Sequence, residues 1–465
     1  MKPSLRTLIV LAGGALALAT RRKASRPEPM RERYPDARTR ILVVGGGFGG
    51  LAAAEELSKA LGADQEVAVG LVDRVNHTTF WPMVPAVVSG NIEMRHVAHS
   101  IRRVLNSLGA EFFQVEVKGI NFGAREVITD AGVFPYDYLI LAPGSRTAFF
   151  GTPGAREHAM DLKGLLDALR IRSQIIDRFE ETHRLRGEFT DDLLTFVFVG
   201  GGPTGVEGAA EAHDLIFDVL EDDYPGVDFR RVHILLVNAG DRILKGIDPS
   251  LAHAAERRLA SRKIDVLNNA KVAEVRPGAV VLSDGRTLPA RTTVWAAGVE
   301  PPPFVKALDL PKDAQGHILV DGFLRVKDRP GVYAVGDCAR VVQDGSPVPA
   351  LAQAAEQEGR LAARNIAAEI EGGYVRPFRY RSLGQLVDLG KESAIVDILG
   401  VKFAASLGSL VWKGVYLYEL GRNLDRARVL SDWFLDLFAR PDASDLFEEY
   451  EKQTSNTTGS AGHET

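Results

Sequence analysis

A single cysteine, Cys338, stands among 465 residues. One thiol closes no intramolecular disulfide and forms no redox-active cysteine pair, so disulfide scaffolds and dithiol enzymes are excluded. Any oxidation-reduction chemistry then has to come from a cofactor, and Cys338 itself reads as a small buried residue. An excess of charge of one sign is also lacking. With 56 Lys and Arg against 61 Asp and Glu, the formal net charge is -5, which leaves no dominant footprint for nucleic acid. We assign neither a nucleic-acid partner nor metal ligands.

Long hydrophobic runs are scarce too. The N-terminal apolar run from Thr7 to Thr20 would extend roughly 21 Å as a helix, short of a ~30 Å hydrocarbon core. Lys2 and Arg6 precede it, and Arg21, Arg22 and Lys23 follow, with Arg26, Arg31 and Arg33 beyond. Because basic residues stay cytoplasmic, the run suits a short uncleaved anchor with the body inside the cell. Ala17-Leu18-Ala19 also resembles a signal cleavage site, and a mis-assigned start is the third option.

What is present is an apolar and charged balance typical of globular domains, at a length that calls for two or three of them. Residues 24–38 mix Arg, Pro, Glu and Asp without apolar period and read as a solvated linker, with the folded body starting at Ile41. Two strand, glycine-loop, helix units follow, at 41–73 and 195–238. Between them Ala159 to Phe179 has helical spacing, and residues 264–298 alternate as antiparallel strands and turns. Pro301-Pro302-Pro303 then forbids a regular continuation. Two helical faces are expected near the end, one with Leu410, Val411, Val415, Leu417 and Tyr418, the other with Leu430, Trp433, Phe434, Leu437 and Phe438. Lys413, Glu419, Asp432 and Asp436 interrupt them, so they suit core helices or a membrane interface. The tail after Tyr450 reads as disordered.

The first unit runs Ile41-Leu42-Val43-Val44-Gly45-Gly46-Gly47-Phe48-Gly49-Gly50. In such a loop Gly45 permits the tight turn, Gly47 lets the backbone approach a pyrophosphate, and Gly50 lets helix and strand pack closely. The helix N-terminus supplies amide donors and a positive dipole end. The run Val67 to Val72 ends in Asp73, which places an acceptor where a ribose hydroxyl needs one. The second unit, Phe196 to Val199 and then Gly200-Gly201-Gly202-Pro203-Thr204-Gly205-Val206-Glu207, repeats the spacing in Gly200, Gly202 and Gly205. Its next strand ends in Asn238, which removes the repulsion that excludes a 2'-phosphate, so NADH and NADPH are both permitted. Arg242 could pair with that phosphate or be a surface charge.

The chain from about residue 40 to 440 resembles the two-dinucleotide flavoprotein superfamily. Tyr138 to Ser145, with Ala142 and Gly144, looks like the strand that closes the first flavin segment. Val332-Tyr333-Ala334-Val335-Gly336-Asp337 resembles the second FAD motif, whose Asp holds the ribityl chain. Within the superfamily the chain is most similar to type II NADH dehydrogenases, single-subunit enzymes that pass electrons from NAD(P)H to membrane quinone. Thr79 to Pro85 followed by Ser89-Gly90, the loop Gly201 to Glu207, and Ala352-Gln353-Ala354-Ala355-Glu356-Gln357 carry that likeness. Phe378 to Gly384 and Trp412 to Trp433 resemble the family's membrane-docking region, although Asp425, Asp432 and Asp436 are unfavourable beside anionic lipid.

The resemblance implies an α/β fold of two Rossmann-like domains, the second inserted in the first, with a C-terminal membrane-associated region. The segments would be 1–38 (apolar run and linker), 39–155 and 299–375 (FAD domain), 156–298 (NAD(P)H domain), 376–440 and the tail 441–465. FAD would contact Gly45, Gly47, Phe48, Gly49, Gly50, Asp73, Ala142, Gly144, Gly336 and Asp337. The nucleotide would contact Gly200, Gly202, Pro203, Thr204, Gly205, Asn238 and Gly298. Gln353 and Gln357 would line a quinone slot, since residues four apart share a helix face. Glu207 would orient the nicotinamide or assist proton transfer, or simply be an acid favoured at a helix N-terminus. Because nicotinamide cofactors are available inside cells, the expected place is the cytoplasmic side of the inner membrane. A homodimer is among the assemblies expected. Two rival readings keep both loops: a soluble reductase for a ferredoxin or another small acceptor, and an NAD(P)H sensor without turnover.

Overall fold

The computed structural model describes residues 34–435, apart from 63, 65, 187, 392, 399–400 and 420–422, together with 444. The apolar run at 7–20 and the tail after Tyr450 lie outside the described residues. The folded body starts earlier than Ile41. Tyr34 is buried, its hydroxyl donates to the Pro135 carbonyl at 2.8 Å, and its ring meets Phe113 edge-on.

The first unit contains β1 (Thr39–Val44), α1 (Phe48–Leu61) and β2 (Val67–Asp73). A short helix α2 (Ala86–Ser89), then β3 (Glu111–Gln114) and β4 (Tyr138–Leu141), continue it. The chain next enters a second unit through β5 (Met160–Asp161) and α3 (Leu165–Arg184). That unit holds β6 (Thr195–Val199), α4 (Pro203–Asp214), β7 (His233–Val237), α5 (Pro249–Ser261), β8 (Ile264–Leu267) and β9 (Thr292–Trp295). After it come β10 (Val332–Ala334) and α6 (Ala352–Glu371). The C-terminal part is β11 (Gln385–Asp388), β12 (Ala394–Ile398), β13 (Val401–Ala405), α7 (Ser406–Glu419) and α8 (Asn423–Leu435).

Two five-stranded parallel sheets organise these elements, in the orders β10-β4-β1-β2-β3 and β5-β9-β6-β7-β8. β10 comes after the whole second sheet in sequence yet pairs with β4 of the first, Val332 opposite Leu139, so the second sheet interrupts the first. The central strands carry unbroken apolar runs, Ile41 to Val44 and Phe196 to Val199, because helices cover both faces of a parallel sheet. Each unit also carries a three-stranded antiparallel sheet, at Val117–Pro135 and Val272–Pro289.

Three further expectations are corrected here, for the connecting helix, for residues 264–298 and for the C-terminal helical face. The connecting helix begins at Leu165, because Met160-Asp161 is first taken as a strand beside β9. In 264–298 only the middle three strands are antiparallel; β8 and β9 join the parallel sheet, burying Ile264 and Val294. The turn at Pro301-Pro302-Pro303 leads into a short helix, Pro303–Ala307, for which a proline at the first position is suited. Near the end, Trp412 is the large side chain buried among the described residues of α7, whereas Leu410 and Tyr418 point outward. Of the face that apolar spacing marked, Leu417 packs on the core, but Leu410 and Tyr418 do not. Side chains 423–425 and residues 436–443 are outside the described set, so Asp425, Asp436, Leu437 and Phe438 are not placed. No described helix is long and apolar enough to cross a membrane.

Candidate functional site

The two glycine loops occupy the carboxyl ends of β1 and β6 and have the same construction. At the first, Gly45 has φ of +104°, and a Cβ there would overlap the Ala142 carbonyl. A Cβ at Gly50 would overlap the Gly45 carbonyl, which is why helix and strand approach so closely. At Gly47, by contrast, a Cβ would meet nothing within 4 Å. The loop is thus packed from behind and open in front, as a surface for a pyrophosphate must be. Asp73, at the end of β2, accepts from the Gly46 N–H at 2.6 Å and the Val75 N–H at 3.0 Å. Its carboxylate is held at the loop's edge, where the ribose was expected.

The second loop repeats each detail. Gly200 has φ of +124° against the Ala296 carbonyl, Gly205 packs on Gly200, and Gly202 faces open space within 4 Å. Pro203 and Thr204 open α4 and are exposed beside Gly202. Asn238 takes the place of Asp73 but turns inward. Its amide donates to Asn268 Oδ1 at 2.7 Å and the Gly240 carbonyl at 3.2 Å, and accepts from the Gly240 N–H at 3.2 Å. Gly298 lies next to β9, where a Cβ would crowd the Phe150 ring at 2.9 Å.

Between the loops run the remaining expected residues. Gly144, with φ of +67°, faces open space, and Ser145 Oγ donates to Asp337 Oδ2 at 2.5 Å. The Gly336 N–H donates to Glu358 Oε2 at 2.6 Å, so α6 holds the Gly336-Asp337 turn from below. Burial pushes the Glu358 carboxyl up to about 7. Gly49 touches Ala355, and Gly359 packs on Gly49, so the start of α6 sits against the start of α1. Phe48 meets Phe80 edge-on at 6.0 Å, Phe80 meets Tyr416 at 5.7 Å, and Tyr416 meets Trp412 at 4.8 Å. This aromatic column ties the first loop to α7. Cys338 is buried beneath the site, and its thiol, pushed up by burial, donates to the Val335 and Leu141 carbonyls.

Gln353 and Gln357 do share one face of α6, but both amides are engaged. Gln353 donates to the Gly384 carbonyl at 2.8 Å and accepts from the Leu383 N–H at 2.9 Å. Gln357 donates to the Arg381 carbonyl at 2.9 Å and accepts from the Arg381 N–H at 3.0 Å. They clamp the 381–384 strap against α6 with two bonds each.

Glu207 does not cap the start of α4. It is buried and accepts from the Asp388 N–H of β11 at 3.1 Å. Burial pushes its carboxyl well above the usual range, and the nearby Asp388 and Glu211 carboxylates add to this. Glu211, one turn on, accepts from the Ser89 hydroxyl and from Asn91 Nδ2. Further along, Asp214 forms a buried ion pair with Arg262, and Lys391 N–H donates to its other oxygen at 2.7 Å. Sequence reasoning named Glu207 but missed Glu211, Asp388 and Glu358. The signal for the first was present, since Glu207 and Glu211 are four apart on an otherwise apolar face of Val206, Ala209 and Ala210. Asp388 and Glu358 carried no local signal, because only the fold brings them to the loops.

Two such loops on two parallel sheets, one sheet inserted in the other, define an α/β protein of two Rossmann-like units. The pattern of the pyridine nucleotide-disulphide oxidoreductases matches residues 39–359. An internal alternative NAD(P)H-ubiquinone oxidoreductase A1 of Solanum tuberosum mitochondria is 31% identical over 448 residues, covering 88% of each chain. The type II NADH:quinone oxidoreductase Ndh of Mycobacterium tuberculosis is 29% identical over 88% of this chain and 90% of its own. NDH2 from Plasmodium falciparum, solved with NADH, superposes with a TM-score of 0.78 at 20% identity, over 88% of this chain and all of that one. The chain therefore belongs to the type II NADH dehydrogenase family and is an NADH dehydrogenase-like oxidoreductase.

Proposed function

We propose that the chain uses FAD to oxidise NADH or NADPH and passes two electrons to a membrane quinone, without pumping protons. The observation that carries this reading is the duplicated cradle: Gly47 and Gly202 each face open space at the carboxyl end of a parallel sheet. FAD fits the first, because Asp73 offers a ribose acceptor there and Asp337, steadied by Ser145, stands where a ribityl chain would run. The nucleotide fits the second at Gly200, Gly202, Pro203, Thr204, Gly205, Asn238 and Gly298.

Bound FAD supplies hydride acceptance and electron release to a quinone. The protein's part is placement and proton handling. Burial raises the Glu207 carboxyl well above its usual range, which favours a role in proton handling between the second loop and β11. Gln353 and Gln357 act by fixing the 381–384 strap, which walls the slot beside α6. Asn238 presents no charge to a 2'-phosphate, and Arg242 Nε is buried without a hydrogen-bond partner among the described residues. Both features support admission of NADPH as well as NADH. Leu410 and Tyr418 on α7 and Leu430 and Phe434 on α8 are exposed apolar side chains, which supports docking of this end on the cytoplasmic face of the inner membrane.

The test is to purify the chain and compare NADH and NADPH oxidation with a soluble quinone and with ferricyanide. Bound flavin and fast quinone reduction are expected. Flavin with ferricyanide activity but no quinone turnover would favour a soluble reductase instead, and no steady turnover at all would favour a sensor.

A further inference from the structure

Lys163 lies where three separated parts of the chain meet. It belongs to the turn between β5 and α3, at the entry to the second unit. Its Nζ is 3.9 Å from Asp337 Oδ2, on the turn after β10, and 5.2 Å from the centre of the Trp81 ring, in the segment after β2. Its backbone is held as well, since its N–H donates to Asp167 Oδ2 at 3.2 Å. The side chain is half-buried, and that burial pushes its ammonium down while Asp337 counteracts the shift. Taking an ammonium partly out of water over an aromatic ring carries a cost. The single carboxylate beside it, Asp337, already accepts from Ser145.

The position relative to the cradles supplies a reason. A flavin held on the Gly47 loop and at Asp337 would receive hydride from a nucleotide held on the Gly202 loop of the second unit. Lys163, at the entry to that second unit, lies 3.9 Å from Asp337 Oδ2 of the first. We infer that Lys163 is the electrostatic partner of the bound flavin ring, and that its ammonium stabilises the reduced, anionic form over the oxidised, neutral one. The balance is simple. NAD(P)H gives up two electrons and one proton as hydride and becomes NAD(P)+; the ring that takes them gains one negative charge; and Lys163 offsets that charge without transferring a proton. Quinone then removes the two electrons, and its two protons come from the transferred hydrogen and from solvent. In a water-poor site such an interaction is strong.

The inference rests on the FAD reading above, and the experiment separates the two. Midpoint potentials of the bound flavin are measured by spectroelectrochemical titration in wild type, Lys163→Met and Lys163→Arg. Lys163→Met should lower the potential by ~30 mV or more, a tenfold or larger loss in the two-electron equilibrium. Lys163→Arg, which keeps the charge, should hold most of the wild-type value. A Lys163→Met protein with bound flavin at the wild-type potential overturns the inference. If that variant binds no flavin, Lys163→Gln takes its place; flavin loss in both also overturns it, because the lysine would then serve to retain the cofactor. A wild-type protein without FAD would instead defeat the underlying reading.

Discussion

Gly47 and Asn238 show how much depends on single side chains that are absent or uncharged. Gly47 sits between Gly45 and Gly50, two glycines hemmed in by backbone, yet has open space in front of it. Gly47→Val should therefore fold, since its φ of -77° suits any residue, but fill the surface a pyrophosphate needs. The expected outcome is a soluble protein that lacks the yellow flavin spectrum; a normal spectrum would refute the assignment of that loop. At Asn238 the exchange is subtler. Its amide is saturated by Asn268 and Gly240 beneath the second loop. Asn238→Asp would place a carboxylate there, and should shift kcat/KM toward NADH over NADPH by about tenfold, a difference of ~1.4 kcal/mol. Equal selectivity before and after would mean that this position does not read the ribose.

At the scale of elements, α6 does two jobs from opposite faces. Its buried side carries Glu358, whose carboxyl accepts from the Gly336 N–H and is raised by burial from 4.5 to about 7. A carboxyl raised on folding contributes stability that is present below its unfolded value and is lost as pH rises through the folded one. Wild-type Tm should therefore fall between pH 4.5 and about 7 more steeply than that of Glu358→Gln. The gap should reach about 3 kcal/mol at most. Glu419, also pushed to about 7, titrates alike in both proteins and cancels in the difference. Parallel Tm curves would count against a buried, protonated Glu358. The other face of α6 clamps the 381–384 strap. Gln353→Leu leaves the Gly384 carbonyl and Leu383 N–H without partners, so the strap loosens. Stopped-flow flavin reduction by NADH should be unchanged while the KM for quinone rises, and equal changes in both half-reactions would refute a role confined to the quinone side.

Across the whole molecule, α7 packs on the C-terminal strands β11 to β13, and α7 and α8 turn apolar side chains outward. His96 Nδ1 lies 2.5 Å from Asp432 Oδ2, and the Lys413 ammonium lies over the Trp433 ring at 5.4 Å. The first contact anchors α8 to the first unit and occupies one of the acids that would oppose an anionic surface; the second joins α8 to α7. Leu410→Glu combined with Tyr418→Glu should sharply reduce sedimentation with anionic vesicles and leave NADH:ferricyanide activity intact. Unaltered vesicle binding would place the docking surface elsewhere. The two glycine loops could be read from the chain alone, because glycine spacing, strand runs and terminal acids act over a few neighbouring residues, whereas the interrupted sheet and the family were legible only through the resemblance. The helical periodicity of α7 was legible too, but not which face is buried, since Trp412 goes inward beside Tyr416, whose ring meets Phe80, which in turn meets Phe48. Tyr34 lies outside any periodic run, and its burial depends on Pro135, 101 residues away, and on Phe113, 79 residues away. Glu358 under Gly336, Asp388 on Glu207 and Lys163 beside Asp337 are likewise decided only by tertiary structure. Burial, pKa and charge pairing depend on what the fold brings within a few ångströms, and for these residues the partners lie 22 to 181 positions away in sequence.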